Sequence, residues 1–374
     1  MYSKKDLEAR EADTLAGYAV LSKDSRGRAH PEPPADYRTE FQRDRDRVIH
    51  CKAFRRLKHK TQVFVTTQNG DHYRTRLTHT LEVVQISRDI ARTLGLNEDL
   101  AETIGLAHDL GHTPFGHTGE KVLNDLLQDF GGFEHNRQSK RIVEQLEKKY
   151  THFDGLNLSY EVLDGLIKHR SPYDHSGVVQ EQGPSLEAQT ANLADEVAYN
   201  SHDLDDALAS GLLRLEDLRG VTLWAELTAR HKEADARLSD AALVNLNIRA
   251  LISLLISDLM RETEARLRQY GIKTLADVYA ARQDLVGFSA ELAGKVAELR
   301  RFLAERFYQH PQIVARNAEA GQVLAQLFAY FVRHPEKALE SSTFRKDQPV
   351  EISVCDYVAG MTDQYALLMY KTIC

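Results

Sequence analysis

The sequence predicts an all-α fold with at most one small β-hairpin. Apolar residues recur at helical spacing through most of the 374 residues, capping and stop signals bound several of these stretches, and strand signals are scarce. The hydrophobic fraction of 42% and the charged fraction of 28% are those of a soluble globular protein. With three scattered cysteines and no apolar run near the roughly 18 residues of a membrane span, we expect a cytoplasmic protein.

The chain is predicted to begin with an arm over residues 1–36, which ends in the proline-rich connector HPEPPADY. A single helical domain follows over 37–374, with a core at about 60–215 and a C-terminal lobe at about 216–374. The best strand signal is TQVFVTT at 61–67, and the NGD that follows it predicts the hairpin turn.

The helices are predicted from periodicity and end signals. Apolar spacing predicts one helix over 77–94, and Gly95 provides its stop. Asn97 is expected to cap the next helix, which continues until Gly111 and Pro114 end it. Further helices are predicted after Ser159 and Ser185 and around 241–268, 290–307 and 319–332.

The segment AHDLGHTPFGHTGE, residues 107–120, concentrates side chains that can do chemistry. It holds His108, His112 and His117 within ten positions, with the carboxylates Asp109 and Glu120 among them. Helix formation does not require histidine, so this density indicates a binding or catalytic site.

Four side chains are candidates to bind one metal ion: His79, His108, Asp109 and Asp195. These side chains are predicted to lie on or beside the inward-facing sides of three helices. Asp109 is rotated by about 100° from His108 around the same helix. Two imidazoles and two carboxylates suit Mn²⁺, Mg²⁺, Fe²⁺, Co²⁺, Ni²⁺ or Zn²⁺, whereas a closed structural zinc site would favour thiolates. One His–Asp pair carries little information, since His202–Asp203 is a second such pair.

The net charge of −7 argues against a general nucleic-acid coat protein. Basic residues are nevertheless concentrated in FRRLKHK at 54–60 and HYRTR at 72–76. These segments are either a solvated helix face or a patch for a small polyanion such as a nucleotide triphosphate.

Taken together, the motifs resemble a known family. His79, HDLGHTPFGHTGE, FEHNRQS at 133–139 and LADEVAYNSHDLDDAL at 193–208 resemble the HD-domain deoxynucleoside triphosphate triphosphohydrolases, most of all their bacterial dGTPase-like branch. The resemblance extends from about FRRLKHKTQVF to DYVAGMTDQYA at 356–366. It implies an HD-domain helical fold, a divalent metal ion (Mn²⁺ or Mg²⁺ before the others), and cleavage of dGTP or several dNTPs at the α-phosphate to deoxynucleoside and inorganic triphosphate.

The resemblance also implies roles for individual residues. His79, His108, Asp109 and Asp195 match the metal ligands of the family. His117 and Glu120 match the catalytic His–acid pair, and His112 and His135 match histidines near the phosphates. Arg76 matches an arginine that contacts the nucleotide. Gln62 matches the glutamine at the sugar 3′-hydroxyl, and Tyr199 and Asp203 match positions at the deoxyribose. Glu196 departs from the pattern, because some relatives have a lysine there.

The residue types agree with this chemistry. An imidazole, with a solution pKa of about 6.5, can donate and accept a proton near neutrality. His117 is therefore the expected proton carrier, as either general base or general acid, and Glu120 is expected to orient it. The competing interpretation of the two is a surface ion pair. Tyr199 would exclude a ribose 2′-hydroxyl, or it would simply pack in the core.

Two other functions fit parts of the pattern. The same metal site could serve a nucleoside monophosphate, a cyclic dinucleotide or an alarmone, or the fold could serve a non-catalytic sensor or single-stranded nucleic-acid binder. The basic segments and the intact ligand set favour the triphosphate. Relatives form homo-oligomers, often hexamers, and some are activated by a dNTP at a second site, so both properties are expected here.

Overall fold

The structure, a computed structural model, describes residues 1–62, 74–167, 183–339 and 343–373. These residues form α-helices joined by short 3₁₀ and π segments, and within the same ranges strand pairing is limited to isolated bridges. The all-α prediction is confirmed. Most of the predicted hairpin lies at residues 63–73, outside the described residues. Of the described residues next to this range, Thr61 and Thr75 form an antiparallel bridge.

The helices of the described residues are α1 Lys4–Thr14, α2 Glu40–Ile49, α3 Lys52–Arg56, α4 Arg76–Thr93, α5 Glu98–Ala107, α6 Gly116–Leu126, α7 His135–Arg141, α8 Tyr160–Gly165, α9 Leu186–Ala209, α10 Thr222–Ala234, α11 Asp240–Gln269, α12 Leu275–Ala280, α13 Ala290–Leu303, α14 Pro311–Arg333, α15 Val350–Ala359 and α16 Asp363–Ile373.

Helices α4, α5 and α9 pack against one another and position the site. Gly95, in the left-handed region at φ +68°, follows α4 as predicted. The Asn97 side chain accepts a hydrogen bond from the Leu100 N–H and so caps α5. The inward stripe of α4 over Val83, Ile86 and Ile90 is buried, and this burial fixes the direction in which the polar residues of the same face point.

One part of the helix prediction was wrong. Helix α5 ends at Ala107, so His108 is its C-cap residue and Asp109 lies in the turn that follows. That turn is closed by a hydrogen bond of 3.2 Å from the His112 N–H to the Asp109 carbonyl. The two side chains therefore reach the site through a turn rather than from neighbouring directions of one helix.

Among the described residues, the buried apolar side chains form three clusters. The first joins α4 and α9 to α10, α11 and α13, and the second joins α5 to α2, α3 and α8. The third packs α6, which carries His117 and Glu120, against α14, α15 and α16 through residues such as Leu123, Leu324 and Val358. The histidine-bearing helix α6 is thus supported by the C-terminal helices.

Helix α11 is long and apolar enough, by length and composition, to cross a membrane. Its stripe of Leu243, Leu251, Leu255 and Leu259 is buried, and the last three pack in the first cluster. This one stripe of α11 packs in the core, whereas 28% of the most apolar 18-residue window of the helix is buried.

Candidate active site

Side chains from α4, from the turn after α5 and from α9 meet at one point. Ligand atoms of His79, His108 and Asp109 lie within 4.8 Å of one another. An oxygen of Asp195, Oδ1, lies 2.8 Å from His79 Nε2 and 3.7 Å from His108 Nε2. The structure therefore brings together all four side chains that the sequence predicted as metal ligands.

The chemistry of this group fits a divalent cation. His108 donates from Nδ1 to the Gly105 carbonyl over 2.6 Å, which leaves its buried Nε2 without a hydrogen-bond partner among the described residues. Although burial opposes ionisation, the neighbouring Arg76 guanidinium lowers the pKa of Asp109 well below its usual range. Burial likewise opposes the ionisation of Asp195, and its hydrogen bond with His79 lowers its pKa. Two carboxylates and an unpartnered imidazole nitrogen are a suitable ligand set.

Behind the candidate metal ligands, a further histidine contacts His79. His79 Nδ1 lies 3.3 Å from Nδ1 of His202, whose other ring nitrogen contacts Glu82. Metal-binding histidines commonly have their second nitrogen held in this way, because the contact fixes the ring orientation. His202 lies seven residues after Asp195 on α9, so its sequence spacing places it on the same helix face as that candidate ligand.

Arg76 contacts the carboxylate of Asp109. The residue is 1% exposed, and its Nη1 donates to Asp109 Oδ2 over 2.8 Å. Its Nε and Nη2 are buried and have no hydrogen-bond partner within the described part of the chain. A buried guanidinium with unsatisfied donors is a place for an anion.

Three histidines form a cluster next to Arg76 and Asp109. His112 stacks on His135 with ring centroids 4.0 Å apart, and its Nε2 lies 3.1 Å from Asp109 Oδ1. The His117 ring centroid lies 5.6 Å from that of His112. The cluster thus borders the candidate metal ligands.

Glu120 contacts His135 more closely than His117. It accepts from both the N–H and Nδ1 of His135 at 2.9 Å, whereas His117 Nδ1 is 3.4 Å away and the His117 side chain is 82% exposed. Although burial opposes it, Glu120 raises the pKa of His135 to about 9, so the ring is a cation at neutral pH. In the same way His117 and His135 lower the pKa of Glu120 despite its burial. The expected His117–Glu120 pair is present, but it is the weaker of the two contacts.

The residues predicted to contact the sugar, Asp203, Tyr199 and Gln62, each have different neighbours. Asp203 accepts a hydrogen bond from the Tyr308 hydroxyl, and burial raises its pKa to about 6. The Tyr199 ring is 5.7 Å from the Arg300 guanidinium, which also donates to Glu196 over 3.1 Å. Gln62 Oε1 is buried and has no hydrogen-bond partner within residues 1–62, 74–167, 183–339 and 343–373.

The described basic residues of these two segments lie in different surroundings. Lys60 is buried, where its ammonium donates to the carbonyls of Ala359 and His112. Arg74 is paired with Glu82, Asp205 and Asp206. Of these three basic residues, Arg76 is the one whose guanidinium donates to the candidate ligand Asp109. The role of Lys60 could not be read from FRRLKHK, because a basic residue in such a run is expected in solvent.

Two protein-family models and full-length relatives match this chain. The HD domain model matches residues 76–200, and the phosphohydrolase-associated domain model matches residues 286–372. The chain is 51% identical over its full length to a deoxyguanosinetriphosphate triphosphohydrolase-like protein of Geobacter sulfurreducens, covering 98% of that protein. Proteins with the same description are 48% identical in Ralstonia nicotianae, over 98% of this chain and 95% of that one, and 44% identical in Leptospira interrogans, over 100% and 99%.

Proposed function

This chain belongs to the deoxyguanosinetriphosphate triphosphohydrolase-like HD-domain phosphohydrolases, and from that premise we propose that it hydrolyses a deoxynucleoside triphosphate to deoxynucleoside and inorganic triphosphate. The observation that carries the proposal is the position of Arg76. A buried guanidinium with two unpartnered nitrogens in the described structure adjoins both the four-ligand group and the histidine cluster. This is the arrangement that a bound polyphosphate needs, with cationic donors on one side and a metal group on the other.

His79, His108, Asp109 and Asp195 would hold the metal ion, with Mn²⁺ and Mg²⁺ as the first candidates. When bound, a divalent ion would neutralise a phosphate oxygen and acidify a water molecule. The described residues offer no thiolate to this group, which agrees with a catalytic rather than a structural centre.

The remaining roles belong to side chains around that centre. Arg76 and the His135 cation would bind the phosphates, because each presents positive charge beside Asp109. His117, exposed and within reach of Glu120, would carry the proton, either from the attacking water or to the 5′-oxygen. Tyr199 and Asp203 on α9 would pack against the deoxyribose, and Gln62 would contact its 3′-hydroxyl.

A substrate panel tests the proposal. Purified protein is incubated with each dNTP and with Mn²⁺, Mg²⁺ or Co²⁺, and triphosphate and deoxynucleoside are measured. The Asp109→Ala protein is the control, because it loses a metal ligand and should lose both metal binding and turnover. Release of pyrophosphate and monophosphate, or turnover confined to a monophosphate, a cyclic dinucleotide or an alarmone, would refute the triphosphohydrolase proposal.

We also propose that the protein is a homo-oligomer, with a hexamer as the first candidate, and that a dNTP activates it. The supporting ground is the family to which it belongs. Light scattering with and without dNTP, followed by turnover in dNTP mixtures, measures both properties. A monomer at assay concentration, or rates in mixtures equal to those of single nucleotides, would contradict them.

A further inference from the structure

We propose that the C-terminal brace, defined as residues 356–363, positions the histidine cluster through contacts that do not include the candidate metal ligands, and that Asp363 is its most important residue. The kinetic consequence rests on the proposed function. The brace coincides with most of DYVAGMTDQYA, a motif to which the site described above assigns no role.

Asp363 joins two segments that are distant in the chain. Its Oδ2 accepts from the Thr61 N–H at 2.9 Å and the Thr61 hydroxyl at 2.6 Å, and its Oδ1 accepts from the Phe115 N–H at 3.1 Å. Asp363 is 6% exposed, so these bonds are shielded from water. One carboxylate therefore fixes the residue before Gln62 and the residue before helix α6.

The contact at Phe115 stabilises an unusual backbone conformation. Phe115 has φ +60°, in the left-handed region that non-glycine residues rarely adopt, and it is the N-cap of α6. His117 is the second residue of α6, and Glu120 is one turn further on. The direction in which α6 leaves this turn sets where both side chains point, so a displaced Phe115 would displace them.

The rest of the brace holds the other two histidines. Asp356 accepts from Arg141 at 2.7 and 2.8 Å and from Gln138 at 3.0 Å, and both donors lie on α7, whose first residue is His135. The Ala359 carbonyl accepts from Lys60 Nζ at 2.9 Å, and the same ammonium contacts the His112 carbonyl. Three anchors in eight residues thus reach the segments that carry His112, His117 and His135.

The polar contacts of the brace do not include the candidate metal ligands of the described residues. Across the described ranges, no hydrogen bond or ion pair joins residues 356–363 to His79, His108, Asp109 or Asp195. Metal binding and proton transfer should therefore respond differently to its loss. This separation distinguishes a positioning role from general stabilisation.

Asp363→Asn is the test variant, because it keeps the size but replaces one accepting oxygen with a donor that faces the N–H groups. Displacement of α6 by a fraction of an ångström to about 1 Å should lower kcat by about 10- to 100-fold, with Mn²⁺ affinity by calorimetry within about twofold of the natural protein. The pH–rate profile should also shift, since the surroundings of His117 and His135 change. Asp258→Asn is the matched control: Asp258 accepts from the N–H and hydroxyl of Ser289 at 2.8 and 2.9 Å, far along the chain from the brace.

An Asp363→Asn protein with unchanged kcat per bound Mn²⁺, or with Mn²⁺ affinity lost in parallel with activity, would overturn the proposal. So would an equal loss of kcat in Asp258→Asn. If Asp363→Asn fails to fold, Thr61→Val removes only the hydroxyl bond and should lower kcat in the same direction by a smaller factor. If the natural protein cleaves no dNTP, the proposed function fails separately, and imidazole NMR still decides: Asp363→Asn must shift the His112, His117 and His135 signals while Mn²⁺ binding persists.

Discussion

Gly111 provides the sharpest test of how the motif segment is packed. A Cβ at this position would lie 2.2 Å from the His135 carbonyl oxygen, 2.3 Å from the Ser139 nitrogen and 2.8 Å from the Gln138 carbonyl carbon. All three are backbone atoms of α7 or its first turn, so no side chain can rotate away. Gly111 is outside the left-handed region, and alanine could adopt its backbone conformation. The requirement for glycine here is therefore one of space.

The size of the disturbance follows from these distances. Ordinary contacts of a Cβ begin at about 3.4 Å, so in Gly111→Ala the start of α7 must move by about 1.2 Å relative to the His112 segment. Overpacking of this kind costs about 1–3 kcal/mol of unfolding free energy, and more where the backbone resists. A shift of about 1 Å between catalytic groups can cost about 10²-fold in rate, so kcat should fall by that order.

Guanidinium chloride unfolding and steady-state kinetics measure the two effects. Gly294→Ala is the control: Gly294 lies within α13, a Cβ there would meet nothing within 4 Å, and alanine should stabilise the helix by about 0.5–1 kcal/mol with no change in kcat. If Gly111→Ala keeps both the natural unfolding free energy and the natural kcat, the close packing of the turn at residues 108–111 on α7 is not as described.

Three further predictions concern other parts of the molecule. Burial raises the pKa of Glu187 to about 7 from its usual 4.5, so its contribution to stability is present below about pH 4.5 and is lost as the pH rises through 7. Glu187→Gln should remove that loss and be roughly 3 kcal/mol more stable than the natural protein at pH 8 in urea unfolding; equal stabilities there would contradict it. His117→Ala should keep Mn²⁺ affinity and lower kcat by about 10²–10⁴-fold, since an exposed side chain contributes little to folding; an unchanged kcat would exclude His117 as the proton carrier. Chelation of the metal should lower the thermal unfolding midpoint of protein kept at a free metal concentration of 100 times Kd, because about 3 kcal/mol of binding stabilisation is lost. The effect should be smaller in Asp195→Asn. A midpoint insensitive to chelator would argue against the four-ligand site.

The local features of the fold were predictable because their causes are local. Apolar spacing and the signals at Gly95 and Asn97 place α4 and α5 within a residue or two at most boundaries. The early end of α5 was missed, because His108 continues the apolar spacing although the chain turns after Ala107. Motif spacing located the four candidate ligands, which the structure brings together.

The contacts that depend on distant parts of the chain were not predictable from spacing. Glu120 lies three residues after His117 but fifteen before His135, and the closer partner is the more distant in sequence. Lys60 looked like a surface cation because its neighbours are basic, yet tertiary packing buries it. Composition and periodicity describe one element at a time, and neither reports which other element covers it.

The Asp363 contacts also bear on when the site is completed during protein synthesis. The bonded residues Thr61 and Asp363 are 302 positions apart, and Phe115 and Asp363 are 248 apart. A ribosome therefore finishes the candidate ligands and all three clustered histidines long before it adds the carboxylate that holds the turn before α6. A nascent chain could capture a metal ion early, while the turn before α6 would reach its final geometry only after residue 363 has left the exit tunnel.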